Sequence, residues 1–255
     1  MEQQAMKKSG RVFICGAGPG DPKLITLRAM ELLKTCDVVL YDRLVGKEII
    51  DQIPPSTEKV YVGRMVGDPT THQDNTNALM VRYAKKGKSV LRLKGGDPFI
   101  YGRGAEEAEY LIEHGVKFEI VPGITSAIAS PAYAGIPLTH RRHSSSVAIV
   151  TGHEGAEKDE TAIQWDRLAG AVDTIVVLMG IGQLKQISSD LVKAGMKKST
   201  RIAIVESGTT DKQRVVRGTL GTIAGIAKKA EIKPPAVIVI GKVAGLDKLE
   251  WFKEK

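Results

Sequence analysis

The sequence predicts an α/β protein made of two small α/β domains, each a parallel or mixed sheet covered by helices, with a cleft between them. Three observations predict it. Short apolar strands alternate with helix-periodic segments nearly throughout, which is the pattern of a sheet layered with helices. A stretch rich in Gly, Ala, Pro and Ser, from Pro122 to Arg142, interrupts that alternation once and reads as a helical, small-residue connector. The chain has 255 residues, 42% hydrophobic and 26% charged, enough for one large or two small cores and ordinary for a globular protein. The expected layout is an N-terminal α/β domain over 10–121, a connector over 122–142, a C-terminal α/β domain over 143–245 and a tail over 246–255.

Each element has a local reason. Arg11-Val12-Phe13-Ile14-Cys15 is an apolar strand that ends in glycines. Asp21-Pro22 then opens a helix, with Asp as N-cap and Pro at the first helical position. Ile25, Ala29, Leu32 and Leu33 give that helix its apolar stripe. Asp37–Tyr41 and Lys59–Val62 read as strands separated by the Pro54-Pro55 break. A helix is expected from Asp74 to Lys86, stopped by Gly87, and another from Ala105 to Gly115. Ser89–Leu93 and Phe118–Val121 are the remaining strands of this half. Beyond the small-residue stretch, strands are expected at Val147–Val150, Thr174–Leu178, Arg201–Val205, Arg214–Arg217 and Ala236–Ile240. Helices are expected at Gln183–Ala194 and Thr222–Ala230.

Charge and composition exclude several classes. No apolar run approaches the roughly 20 residues of a membrane span, and the first eight residues, MEQQAMKK, lack a signal-peptide core. Cys15 and Cys36 have neither metal-type nor redox-type spacing, which points to a reduced, cytoplasmic protein without structural zinc. The net charge of +8 and pI near 9.4 call for an anionic partner. That partner could be nucleic acid, an anionic membrane or a polyanionic small molecule; aromatics at 5% are few for base stacking, and the lysine pairs Lys7-Lys8, Lys85-Lys86, Lys197-Lys198 and Lys228-Lys229 read as solvated helix ends. No Ser/His/Asp or Cys/His set stands at a recognisable spacing, and His72, His114 and His153 are isolated.

Three loops could carry chemistry. The first, Gly16-Ala17-Gly18-Pro19-Gly20-Asp21-Pro22, resembles a dinucleotide fingerprint, with Asp42 where a ribose acid would stand. Pro19 and Pro22, however, remove two N–H donors that a pyrophosphate would use, and Gly20 misses the required spacing. The second, Leu93-Lys94-Gly95-Gly96-Asp97-Pro98-Phe99-Ile100-Tyr101-Gly102-Arg103-Gly104, carries four glycines where a turn needs one or two. It lacks the Lys-Ser/Thr ending of a P-loop and reads as a ligand-contacting loop in which Asp97 accepts hydrogen bonds, or caps a helix. The third runs from Val121-Pro122-Gly123-Ile124-Thr125-Ser126 to Ala132–Arg141. There Thr125 is a candidate N-cap, and Arg141, Arg142, His140 and His143 form a cationic knot suited to carboxylates or simply exposed.

Taken together these loops resemble one family. G-A-G-P-G-D-P, L-Y-D-R-L-V, L-K-G-G-D-P-F-x-x-G-R-G, V-P-G-I-T-S-A and A-Y-A-G-I-P-L-T-H-R are similar to the uroporphyrinogen-III C-methyltransferases, class III tetrapyrrole methylases that use S-adenosyl-L-methionine. The likeness spans Arg11 to about Val243. It implies the tetrapyrrole methylase fold with the active site in the interdomain cleft, a homodimer, and two successive methylations of uroporphyrinogen III at carbons 2 and 7. The product, precorrin-2, feeds sirohaem and cobalamin biosynthesis. S-adenosyl-L-homocysteine is the by-product, and no metal is needed.

The resemblance also assigns residues. It places Pro19, Gly95, Gly96, Asp97, Ile100, Thr125, Ser126, Met179 and Gly208 at the cofactor, with Pro235-Ala236 a weaker match. Asp42 falls at the family's proposed general base. Arg64 stands where many members have a lysine proposed as proton donor; a permanently protonated guanidinium suits a substrate carboxylate better. Gln73 and Asn77 keep their family spacing, while Pro69 occupies the place of the usual histidine. Arg43, Arg103 and Arg141 suit a polycarboxylate macrocycle, with Arg43 and Arg141 as the substrate-binding candidates. The competing expectations are another precorrin methyltransferase of the same fold, a dinucleotide-dependent oxidoreductase, and a basic RNA-binding α/β protein.

Overall fold

In the computed structural model, which describes residues 10–63, 71–152 and 163–252, the chain divides into two compact units, Met1–Thr125 and Ser126–Lys255. The first unit contains β1 (Arg11–Gly16), β2 (Val38–Tyr41), β3 (Glu58–Tyr61), β4 (Ser89–Lys94) and β5 (Lys117–Val121). They form one sheet in the order β3-β2-β4-β1-β5, parallel throughout. Parallel strands need crossover connections, and here helices supply them on both faces. These are α1 (Leu27–Thr35), α2 (Lys47–Ile50), α3 (Thr71–Lys85) and α4 (Gly104–Glu113).

Strand alternation sorts the side chains. Phe13, Cys15, Val39, Leu91 and Leu93 face α1 and α2, where Ala29, Leu32, Leu33 and Ile49 cover them. Val12, Ile14, Val38, Leu40 and Val90 face the other way, under Met80, Val81 and Ala84 of α3 and Ala108 and Leu111 of α4. Each fully buried Leu or Ile contributes about 1.5–3 kcal/mol of transfer free energy.

Two local readings are revised. Asp21 caps only a short 3-10 turn, Pro22–Leu24, accepting a hydrogen bond from the Lys23 N–H at 2.8 Å. The helix proper begins at Leu27 behind its own cap, Thr26, whose hydroxyl accepts from the Ala29 N–H at 3.2 Å. The 3-10 turn breaks at Ile25 in extended backbone, which separates the Asp21 cap from the helix. Four-residue α2 was not anticipated; too short to show a period, it is held by Ile49 in the core.

The second unit begins with α5 (Ser126–Tyr133), a helix within the small-residue segment read from the sequence as a helical connector. β6 (Val147–Thr151), β7 (Thr174–Leu178), β8 (Arg201–Glu206), β9 (Arg214–Thr219) and β10 (Ala236–Ile240) form a mixed sheet in the order β6-β7-β10-β8-β9. Only β6–β7 is parallel. α6 (Trp165–Ala171), α7 (Leu184–Lys193) and α8 (Ile223–Lys229) cover one face through Trp165, Ile187, Leu191 and Ile223, packed on Ile175, Ile204 and Ile238. Ala127, Ala134, Ile136 and Val243 cover the other, against Val176, Val205 and Val239. The small residues of α5 permit this close approach. The segment expected as a tail is anchored as well: Trp251 donates its indole N–H to the Ala132 carbonyl at 3.0 Å and packs edge-on against Tyr133.

Candidate active site

In a parallel sheet every strand ends on the same edge, so the loops after β1, β4 and β5 leave the first unit side by side. The first two loops singled out in the sequence lie there, with the Val121–Thr125 start of the third. Such carboxyl-end crevices are where open α/β sheets bind ligands. The loops approach more closely than side chains would allow. A Cβ on Gly16 would lie 2.4 Å from the Gly96 carbonyl oxygen and 2.6 Å from the Gly123 Cα. A Cβ on Gly123 would lie 2.3 Å from that same oxygen. Gly18 and Gly96 exchange N–H···O=C bonds of 3.2 and 2.7 Å, and both have positive φ, 84° and 70°.

Asp97 closes this junction. Its Oδ1 accepts from the Phe99 and Ile100 N–H groups at 2.8 and 3.1 Å, and its Oδ2 accepts from the Gly123 N–H at 3.0 Å. The side chain therefore ties the second loop to the third. Both oxygens serve the protein backbone, and Oδ2, which takes one of the three donors, has acceptor capacity for a further partner. Around it Phe99, Ile100 and Tyr101 remain exposed at 54%, 39% and 46%, an apolar rim beside bare glycine backbone. Pro19 is half-buried in the first loop. Gly95 sits against Leu44, whose Cβ a Gly95 side chain would meet at 2.8 Å.

Asp42 follows β2 on the same edge and is part of a buried ionic cluster. Its Oδ1 accepts from the Arg92 guanidinium at 2.8 Å, and its Oδ2 lies 3.9 Å from the Lys94 Nζ. Behind them Glu107 of α4 accepts from both Arg92 and Lys94 at 2.9 Å through one oxygen. Burial works against charge on Glu107, and the Arg92 and Lys94 charges outweigh it, holding that carboxyl below its ordinary range. Burial, and then the Arg92 charge, pull the Lys94 ammonium below its ordinary value. Sequence reading missed Arg92, Lys94 and Glu107 as a group. The signal was parity: in Val90-Leu91-Arg92-Leu93-Lys94, both faces of a central strand are buried, so the two cations have to point inward.

Arg43 is exposed beside Asp42. Arg64, Pro69 and His153 lie outside the described residues, and Gln73 lies in the first turn of α3. Asn77 is buried in α3. Cys15 and Cys36 are buried and unbridged; burial pushes both thiols up, Cys36 to about 11, so neither supplies a thiolate at neutral pH. Among the described residues no group of three His, Cys, Asp or Glu side chains could hold a metal ion, and no helix is long and apolar enough to cross a membrane.

The second unit has its own edge. Met179 follows β7, Gly208 follows β8, and Pro235 precedes antiparallel β10, so the pairing brings them to one end of the sheet. The Ser207 N–H donates to the Pro235 carbonyl at 2.9 Å. Met179 is 52% exposed with φ of 55°, and Ser207 and Thr209, either side of Gly208, have φ of 48° and 70°. Left-handed backbone at non-glycine residues costs of order 1 kcal/mol each and gathers at ligand sites. Tyr101 and Arg103 in the first unit share it. A Cβ on Gly208 would strike Ser130 of α5 at 2.4 Å from its Cβ. Thr125 directly precedes Ser126, the first residue of α5. Arg141 and Arg142 stand exposed at the tip of a tight loop closed by mutual His140–Ser144 backbone bonds, with the His140 and His143 rings stacked at 4.6 Å.

Glycine backbone beside exposed apolar side chains suits the adenosyl and thioether parts of S-adenosylmethionine. Comparison with known proteins decides the family. A model of the tetrapyrrole (corrin/porphyrin) methylases matches residues 11–224. This chain belongs to the tetrapyrrole methylase family. An S-adenosyl-L-methionine-dependent uroporphyrinogen III methyltransferase of Methanosarcina barkeri is 48% identical over 237 residues, 93% of each chain. A siroheme synthase of Pseudoalteromonas atlantica is 49% identical over 95% of this chain, which spans 52% of that longer protein. The crystal structure of uroporphyrin-III C-methyltransferase from Thermus thermophilus with S-adenosyl homocysteine is 41% identical, covers 92% of this chain and 98% of that one, and superposes with a TM-score of 0.79. Both sheets of this tetrapyrrole methylase are thereby placed in a known fold.

Proposed function

We propose that this tetrapyrrole methylase converts uroporphyrinogen III to precorrin-2 by two successive methylations, at carbons 2 and 7, and so feeds sirohaem and cobalamin biosynthesis. The observation that carries the reading is the convergence of the family's glycine loops on one sheet edge, in a chain 48% identical to a uroporphyrinogen III methyltransferase. S-adenosylmethionine, when bound, supplies an electrophilic methyl group on sulfur. The protein's task is then placement, since in-line transfer to an electron-rich pyrrole carbon is accelerated chiefly by orientation.

The first unit offers Pro19, Gly95, Gly96, Ile100 and Thr125 to the cofactor, with Asp97 holding the loop they stand on. Ser126, Met179 and Gly208 serve from the second unit. Asp42 takes up a proton from the methylated macrocycle. Arg43, Arg64 and Arg141 bind substrate carboxylates. The enzyme acts as a homodimer in the cytoplasm, a reading supported by its two free, buried thiols as regards the compartment. Light scattering at the chain's working concentration should give twice 27.5 kDa.

Anaerobic incubation with uroporphyrinogen III and S-adenosylmethionine, followed by mass spectrometry of the oxidised product, tests the activity. A gain of two methyl groups is expected. Cofactor binding without methyl gain would redirect the reading to another tetrapyrrole, and absence of binding would end it.

A further inference from the structure

We infer that Glu107, through Arg92 and Lys94, is a positioning residue that sets the Asp42 carboxylate at the edge of the first sheet. This rests on the reading of Asp42 as the proton acceptor and deepens it. The side chains of Arg92, Lys94 and Glu107 are 3%, 5% and 0% exposed, whereas that of Asp42 is 26% exposed. The cluster is therefore a chain of contacts running from the core to the edge, open only at its Asp42 end.

Its connectivity is directional. One Glu107 oxygen receives both cations at 2.9 Å, and each cation addresses a different Asp42 oxygen, at 2.8 Å from Arg92 and 3.9 Å from Lys94. The Asp42 backbone is pinned to the same strand, its N–H donating to the Leu93 carbonyl at 3.2 Å. Carboxylate and main chain are thus both referenced to β4, the strand that runs directly into Gly95-Gly96. Burying such ions costs several kcal/mol each in desolvation, and well-packed apolar residues at these positions would serve stability equally. Val90 on the same face of β4 is an apolar residue of that kind. The polar alternative gives a fixed orientation for Asp42, at the point where a misplacement of about 1 Å can cost a hundredfold in rate.

The charged groups facing Asp42 among the described residues are Arg92 and Lys94 on β4, with Glu107 of α4 behind them and Arg43 beside it in sequence. Glu107→Gln leaves two cations facing Asp42 with their counter-charge removed. The variant should lose roughly ten- to a hundredfold in kcat, with S-adenosylhomocysteine affinity and substrate KM within about twofold of the parent. The acid limb of its kcat–pH profile should move down by about one pH unit, because uncompensated positive charge favours the carboxylate. Arg92→Lys keeps the charge and loses the fork geometry, so it should lower kcat comparably; it serves if Glu107→Gln does not fold. A variant that melts earlier but keeps the parent kcat and pH profile would overturn the inference and leave the cluster a packing feature. Asp42→Asn separates the two readings. If it is inactive while Glu107→Gln and Arg92→Lys are fully active, positioning alone falls. If Asp42→Asn is itself fully active, the proton-acceptor reading falls and takes the inference with it.

Discussion

Asp97 shows how one side chain does indirect work. Its carboxylate accepts from three backbone N–H groups, spanning two loops. Asp97→Ala leaves those donors without their partner, so the glycine backbone it holds should lose its shape. Calorimetry should find S-adenosylhomocysteine affinity reduced at least tenfold, since an unmade hydrogen bond to a charged group is worth about 1.5–3 kcal/mol; unchanged affinity would remove Asp97 from the cofactor site. Gly123 tests the same junction from the other side. With a Cβ only 2.3 Å from the Gly96 oxygen, Gly123→Ala forces backbone apart. It should cost about 2–3 kcal/mol in a thermal melt, the scale of an overpacked core, and weaken cofactor binding as well. Asp21 illustrates the limit of reading caps residue by residue. The cap read at Asp21 ends in a 3-10 turn, and the structure puts the cap of α1 five positions on, at Thr26.

At the scale of elements, the two sheets share a device at their other ends. Asp37, at the start of β2, accepts from the backbone N–H and hydroxyl of Ser89 at 2.8 and 2.7 Å. In the second unit Asp173, at the start of β7, accepts from the Ser145 and Ser146 N–H groups at 2.8 and 3.2 Å. The backbone and side-chain bonds from Ser89 hold the Asp37 carboxyl below its ordinary range, and those from Ser145 and Ser146 do the same for Asp173. A carboxyl so lowered stabilises the fold fully above its unfolded value and loses that contribution as pH falls through the folded value. Melting temperature should therefore decline below about pH 4. Ser89→Ala and Ser146→Ala should each melt earlier at pH 7 and decline less steeply with acid; an acid limb identical to the parent's would exclude these pairs as its source. Elements also set what was legible. The strands and most helices were legible as periods, whereas α2, at four residues, is too short to establish one.

For the whole molecule, charge is the property that matters to a polyanionic substrate. A net charge of +8 raises the local concentration of such a ligand and should do so less in salt. The substrate KM should rise severalfold between about 0.05 and 0.5 M salt while kcat changes little. Arg141→Ala, at the exposed loop tip, should raise KM without altering kcat or S-adenosylhomocysteine affinity, and an unaltered KM would show that this loop is surface only. The two units divide the candidate residues unequally: loops following strands of a parallel sheet hold most of them in the first unit, and a mixed sheet presents Met179 and Gly208 in the second.

The sequence by itself determined the two α/β sheets, the loops that end their strands, and the family to which those loops belong. Such features are local: apolar alternation, capping residues and glycines carry their meaning over a few positions. Tertiary structure alone decided that Gly16, Gly96 and Gly123 meet, that Asp97 ties the second loop to the third, and that Arg92, Lys94 and Glu107 gather behind Asp42. Those contacts join residues far apart in the chain, and they exist because parallel pairing sets β4 between β1 and β2. Strand order is a property of the folded sheet, and no window of residues contains it.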